Sequence, residues 1–171
     1  MKINKKQEVL LKRLNNRIIF KLVSIFKLPM AIVTNLKIEE INLFECRTSV
    51  KYNYLNKNPF KSTYFAVQSM AAELSTGALA LLAVDGLNSD VSFILVGNSA
   101  RFIKKAKDKT IFICNEGDKL DKAVARARST NEQIEETVKT IGYDSNEEII
   151  SEFKFTWSFR IKSSDLILNN N

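Results

Sequence analysis

The chain has 171 residues, enough for one domain with a continuous core, and its 45% apolar and 26% charged residues with only 5 Gly and 2 Pro fit neither a disordered nor a fibrous protein. The net charge of +7 sits entirely in residues 1–28, where eight bases face the single acid Glu8, and the rest of the chain is balanced, which argues against nucleic acid as a partner. Histidine is absent, which excludes Ser-His-Asp, Cys-His and His-metal arrangements, so no metal or other cofactor is expected and hydrolytic chemistry must rest on carboxylates.

In residues 1–28, Leu11, Leu14, Ile18, Leu22 and Ile25 recur at helical spacing, with Lys12, Arg13, Arg17 and Lys21 between them. This predicts one basic amphipathic helix ending near Pro29, because the residue before a proline is steered away from helical backbone. Two readings stand for it: its apolar stripe packs on the domain, or it lies on an anionic membrane surface. It has no uninterrupted apolar run followed by a small-residue cleavage site, so a secretory signal is not expected. Cys46 and Cys114 show no ligand spacing and read as reduced core thiols of a cytoplasmic protein.

Residues 29–162 read as the folded domain and 163–171 as a flexible tail, with no internal repeat or linker. Cys46, Thr48, Val50, Tyr52 and Tyr54 alternate with Arg47, Ser49, Lys51 and Asn53, the pattern of a half-buried strand. Asn56 to Pro59 then supplies turn chemistry. Tyr64 to Val84 is a long run of helix formers, apolar around most of its circumference, with Gly77 as its internal breaker. Such a helix is buried on nearly all sides. Its length suits a membrane span, but Gln68, Ser69, Glu73, Ser75 and Thr76 interrupt it and a carboxylate in lipid is costly.

The second half reads as strands near 91–105, 109–115, 132–142 and 148–161 with a helix near 118–129. Gly97 and Gly142 read as bulge or turn positions. In the last strand Phe153, Phe155, Trp157, Phe159 and Ile161 form one aromatic face that needs a partner, and the central helix is the natural one.

At about 100° per residue, Ala66, Ser69, Glu73, Thr76 and Ala80 share one stripe of that helix. Glu73 is the only charge between Lys61 and Asp85. Desolvation raises a carboxyl pKa, which suits a general base or nucleophile. The alternative is a satisfied buried acid that fixes helix packing, with Ser69 and Thr76 permitting close approach. Arg101, Lys104 and Lys105 are candidates for the phosphates of coenzyme A or a solvated strand end. Asn58 is either a substrate donor or a turn residue before Pro59.

The stretch from Asn58 through Tyr64-Phe65-Ala66 and Glu73 to Gly77, followed by Phe155-Thr-Trp-Ser-Phe159, resembles an uncharacterised bacterial family of the hotdog thioesterase-like superfamily over roughly residues 25–161. The resemblance implies an α+β hotdog fold, an antiparallel sheet wrapped around a long central helix, here with an extra N-terminal helix. It implies acyl-thioester hydrolysis, on acyl-coenzyme A or an acyl carrier, by a homodimer or a dimer of dimers. In active relatives of the phenylacetate pathway the central helix opens with His-Gly-Gly and carries an acid further along. Tyr64, Phe65 and Ala66 stand at the first three positions, and Glu73 stands at the acid's, nine residues beyond Tyr64. The resemblance thus makes Glu73 the catalytic carboxylate, the amides of Phe65 and Ala66 the oxyanion site, and Asn58, Tyr64, Ser69 and Thr76 the substrate pocket. Side chains at 65 and 66 narrow an approach that glycines leave open. The other class of function is an acyl- or lipid-binding hotdog protein without turnover, associated with a membrane surface.

Overall fold

A computed structural model of the chain describes residues 3–85 and 91–162; the tail expected at 163–171 lies outside them. Three helices open the chain: α1 (Lys5–Asn15), α2 (Arg17–Lys27) and α3 (Pro29–Val33). Strands β1 (Lys37–Ile41) and β2 (Cys46–Lys51) and a short 3-10 turn (Tyr54–Asn56) lead to the long helix α4 (Phe65–Asp85). Then come β3 (Val91–Phe102), β4 (Lys109–Cys114), α5 (Gly117–Thr130), β5 (Ile134–Tyr143) and β6 (Ile149–Ile161). The six strands form one antiparallel sheet in the order β1-β2-β4-β5-β6-β3.

The expected single helix over residues 1–28 is two. Asn16 ends α1 with extended backbone, and its side chain accepts from the amides of Ile18 and Ile19, both at 3.1 Å, which starts α2. A side-chain acceptor so placed competes with helix continuation, because it satisfies donors that a following helix would leave open. The two halves have different fates. In α1, buried Gln7 donates to Leu82 O of α4 at 3.2 Å, and Leu11 and Leu14 pack on the core. Asn15 donates to Ile41 O at 2.8 Å and accepts from Ile41 N at 3.0 Å, occupying the outer edge of β1 as an added strand residue would. In α2 the stripe continues as Ile18, Leu22 and Ile25, and all three are exposed.

Helix α4 is long and apolar enough to cross a membrane by composition alone, but 67% of that window is buried inside the protein. Its alanines 71, 72, 78, 80 and 83 are buried and let it settle close to the sheet, while Leu79 and Leu82 fill the space beyond them. Each buried leucine contributes about 1.5–3 kcal/mol of transfer free energy. Phe153, Phe155, Trp157 and Phe159 of β6 are all buried, so the expected aromatic wall is the floor of the core. Buried hydroxyls fasten helix to sheet: Thr48 Oγ1 donates to Ala71 O at 2.6 Å, Ser75 Oγ to Thr140 Oγ1 at 2.9 Å, and Ser151 Oγ to Gln68 Oε1 at 3.1 Å. Such groups are costly to bury unpaired, so each bond also fixes the register of α4 on the strands.

The ladder shifts register at Gly97 in β3 and beside Gly142 in β5, as their sequence positions suggest. At Gly142 a Cβ would stand 2.6 Å from the ring of Phe112, so the glycine there is required by packing. The two sheet edges differ. Asn15 closes the β1 edge, whereas the outer edge of β3 has no partner among the described residues, and Ile94 (65%), Val96 (47%) and Phe102 (46%) on it are solvent-exposed.

Candidate functional site

The start of α4 is held at two points: Thr63 N donates to Ala106 O and Tyr64 N to Asn56 O, both at 2.8 Å. The first helical turn then closes on Tyr64 O, which accepts from Val67 N and Gln68 N. The amides of Phe65 and Ala66 find no acceptor among the described residues, so two helix-start donors are free. Phe65 lines a cavity of about 290 Å³ with Asn58, Thr63, Phe102, Lys104 and Lys105, among others, and Ala66 follows it on the helix. Thr63 Oγ1 is buried there without a hydrogen-bond partner. A free helix-start amide at a cavity is a donor suited to a ligand oxygen.

Asn58 lines this cavity, yet its side chain is committed to the turn. Its Oδ1 accepts from Phe60 N at 3.0 Å and Ser62 N at 3.1 Å, and its Nδ2 donates to Ser62 Oγ at 3.1 Å. Of the three cations considered for phosphates, Lys105 is exposed at the cavity, Lys104 is engaged by Asp144 and Glu148, and Arg101 is exposed on β3 opposite Glu152. Tyr64 stands with its ring 4.8 Å from that of Phe65, which in turn meets Phe102 at 6.4 Å. These rings form an aromatic rim at the start of α4.

Glu73 lies elsewhere. It lines a second cavity of about 260 Å³ with Leu28, Met30, Ala31, Leu36, Met70 and Leu74, beneath the elbow between α2 and α3. Burial pushes its carboxyl pKa above the ordinary value, and no hydrogen-bond or ion-pair partner offsets this among the described residues. The carboxylate therefore has no protein partner among the described residues, and it borders a space that is mostly apolar, with Lys27 at its wall. Of the other residues on its stripe, Thr76 is buried, donating to Glu73 O at 3.0 Å and accepting from Trp157 Nε1 at 3.1 Å. Ser69 donates back to Phe65 O at 3.0 Å, so both hydroxyls are spent on structure. Eight residues of helix separate Phe65 from Glu73, about 12 Å along the axis.

Of the residues singled out in the sequence, Asn58, Phe65, Lys104 and Lys105 line the first cavity and Glu73 the second, while Tyr64, Ser69, Thr76 and Arg101 line neither. Sequence reasoning misses Thr63 and Phe102 in the first cavity and Leu28, Met30 and Leu36 in the second. Leu28, Met30 and Leu36 meet Met70 and Glu73, and Phe102 meets Phe65, across more than thirty residues of chain and with no motif to mark them.

No family model matches the sequence, and no curated protein matches it. Solved structures do. A protein of unknown function from Pseudomonas aeruginosa, called a probable thioesterase, superposes with a TM-score of 0.71 at 17% identity, over 93% of this chain and 98% of that one. The chain has the hotdog fold. Within that fold it also resembles a putative thioesterase from Shewanella oneidensis (TM-score 0.66, 12% identity, 88% of this chain and 97% of that one). A Haemophilus influenzae thioesterase is similar at a TM-score of 0.59 and 9% identity, over 80% of this chain and 86% of that one. At such identities it is the hotdog architecture that is shared, and the chemistry has to be argued from this chain's own residues.

Proposed function

We propose that the chain is a cytoplasmic acyl-thioester hydrolase that takes acyl-coenzyme A or an acyl carrier and works as a homodimer. The observation that carries this reading is Glu73, a half-buried carboxylate without a partner among the described residues, facing a mostly apolar cavity. In the reaction a carboxylate either activates water against the thioester carbonyl or attacks it directly, and backbone donors stabilise the oxyanion that forms. The free helix-start amides of Phe65 and Ala66 supply such donors, with Lys105 beside Phe65 at the first cavity as a cation for the carrier's phosphates.

A separation of about 12 Å prevents one carbonyl from meeting both Phe65 and Glu73 of a single chain. Two chains must therefore complete each site, the helix start of one facing Glu73 of the other. The uncovered apolar edge of β3 supports self-association, since an unpaired ladder is a template for another strand. Buried Cys46 and Cys114 suit a reducing compartment.

A second reading, an acyl- or lipid-binding protein without turnover, is favoured by the Tyr64, Phe65 and Phe102 rings, which stand at the helix start. In it, residues 1–28 provide a peripheral membrane contact.

The deciding experiment is thiol release from short, medium, long and aromatic acyl-coenzyme A substrates by wild type and Glu73→Ala at equal folded concentration. Turnover that vanishes with Glu73 supports the hydrolase. Absence of turnover by a folded dimer overturns it in favour of the binding reading, and a strictly monomeric protein by light scattering overturns the shared site.

A further inference from the structure

Helix α2 is built inside out. Its inward side is Phe20 and fully buried Ser24, while Ile18 (72% exposed), Leu22 (56%), Ile25 (48%) and Phe26 (87%) face solvent. At about 100° per residue these four fall within one continuous outward arc. Lys21 and Arg17, the latter also paired with Glu39, border one side of the arc, and exposed Ile19 and Val23 continue its apolar surface on the other. Met30 and Val33 of α3, 53% and 49% exposed, carry apolar surface past the elbow. A helix on a water-soluble domain normally turns its apolar stripe to the core, so an outward apolar arc of this size requires a cover.

Charge says what the cover is. The whole excess of positive charge lies in residues 1–28, and a groove of about 470 Å³ beside α2 sets Arg17, Lys21 and Lys37 above an apolar floor of Phe20, Ile32 and Leu36. Cations bordering apolar surface match acyl chains beneath anionic headgroups.

We infer that α2 docks on an anionic lipid bilayer, with Ile18, Leu22, Ile25 and Phe26 in the acyl boundary and Arg17 and Lys21 at the level of the phosphates. This extends the membrane contact named above and holds whether or not Glu73 turns over a thioester. It has a functional corollary. The cavity of Glu73 is roofed by Lys27, Leu28, Pro29 and Met30, so docking sets that cavity directly behind the membrane-facing elbow. An acyl chain then reaches the carboxylate from the bilayer side without crossing water.

The test is flotation of the full chain with vesicles of phosphatidylcholine alone and of phosphatidylcholine with phosphatidylglycerol, at low and high salt. Wild type should float with the anionic vesicles only, and less at high salt. Each basic residue near such a surface contributes about fivefold to binding, so Lys21→Ala should weaken flotation by about that factor. The double variant Leu22→Asp, Phe26→Asp should abolish it while circular dichroism and thermal midpoint stay unchanged, because both side chains are exposed. Failure of wild type to float, or undiminished flotation of the double variant, overturns the inference. So does a double variant whose light scattering falls to a smaller assembly, since the arc is then a contact between copies. Hydrolysis of a soluble short-chain thioester, read on the same proteins, keeps this outcome separate from the fate of the hydrolase proposal.

Discussion

The carboxylate of Glu73 rests over the bare Cα of Gly77, one helical turn further on: a Cβ at Gly77 would stand 2.9 Å from Glu73 Oε1 and 3.3 Å from the ring of Trp157. The glycine is thus the space in which the carboxylate lies. Two opposing effects decide what Gly77→Ala does. Alanine favours the helix by about 1 kcal/mol, whereas overpacking against a buried ring costs about 1–3 kcal/mol. The variant should therefore lose on the order of 1 kcal/mol in denaturant titration and, by displacing the carboxylate, fall toward the turnover of Glu73→Ala. A variant more stable than wild type and equally active would show that the carboxylate does not need this place.

The pH dependence of stability reports on the same group. Burial raises the Glu73 carboxyl pKa, so between the unfolded and folded values the native state binds the extra proton. Its contribution is fully present below the unfolded value and is lost as pH rises through the folded one. Glu73→Gln should accordingly raise the thermal midpoint at neutral pH, by about 2–4 °C for each kcal/mol relieved in a domain of this size. The gain should disappear in acid, below the ordinary carboxylate range. An unchanged gain across the pH range would mean that Glu73 ionises normally.

Thr76 and Trp157 offer an optical readout of the interior. The indole Nε1–H of Trp157, the only tryptophan in the chain, donates to Thr76 Oγ1 at 3.1 Å, and both residues are buried. Thr76→Val keeps the volume and removes the acceptor, which costs about 1–3 kcal/mol for an unsatisfied buried donor. Tryptophan emission should shift with the loss of that bond. No change in either quantity would indicate that another acceptor takes its place.

Cys46 and Cys114 are direct partners across β2 and β4, and both thiols are fully buried. Burial pushes both upward, Cys114 to about 11, so neither forms the reactive thiolate at neutral pH. A colorimetric thiol reagent should label the native protein only at the rate of unfolding and label two thiols at once in denaturant. Fast labelling of the native state would contradict the burial.

The central features of this fold are legible in the sequence because they rest on local periodicity. The 3.6-residue pattern marks α4, and the alternation of Phe153 to Ile161 marks β6 and its buried face. Glu73 is legible as a lone charge in an apolar helix, a contrast that needs no tertiary knowledge. The break at Asn16 is not, since Leu11, Leu14, Ile18, Leu22 and Ile25 keep perfect helical spacing through it. What divides that stripe is a side-chain cap and the presence of a core beneath only one half, and neither is written in spacing. The second cavity escapes for a similar reason: Leu28, Met30, Leu36, Met70 and Leu74 meet only through the packing of α2, α3 and α4.

The bonds made by Gln7 and Asn15 give the N-terminal segment two separate cooperative units. Opening α1 must break the bonds to Leu82 and Ile41, and so must disturb the central helix and the sheet edge, whereas α2 frays from Asn16 onward at the cost of the solvent-exposed Arg17–Glu39 pair and the packing of Phe20 and Ser24. Amide hydrogen exchange in solution should therefore slow along α1 to the pace of the core and quicken abruptly after Asn16. A protein arranged in this way keeps its foundation rigid and leaves its outermost helix free to be ordered by whatever it meets.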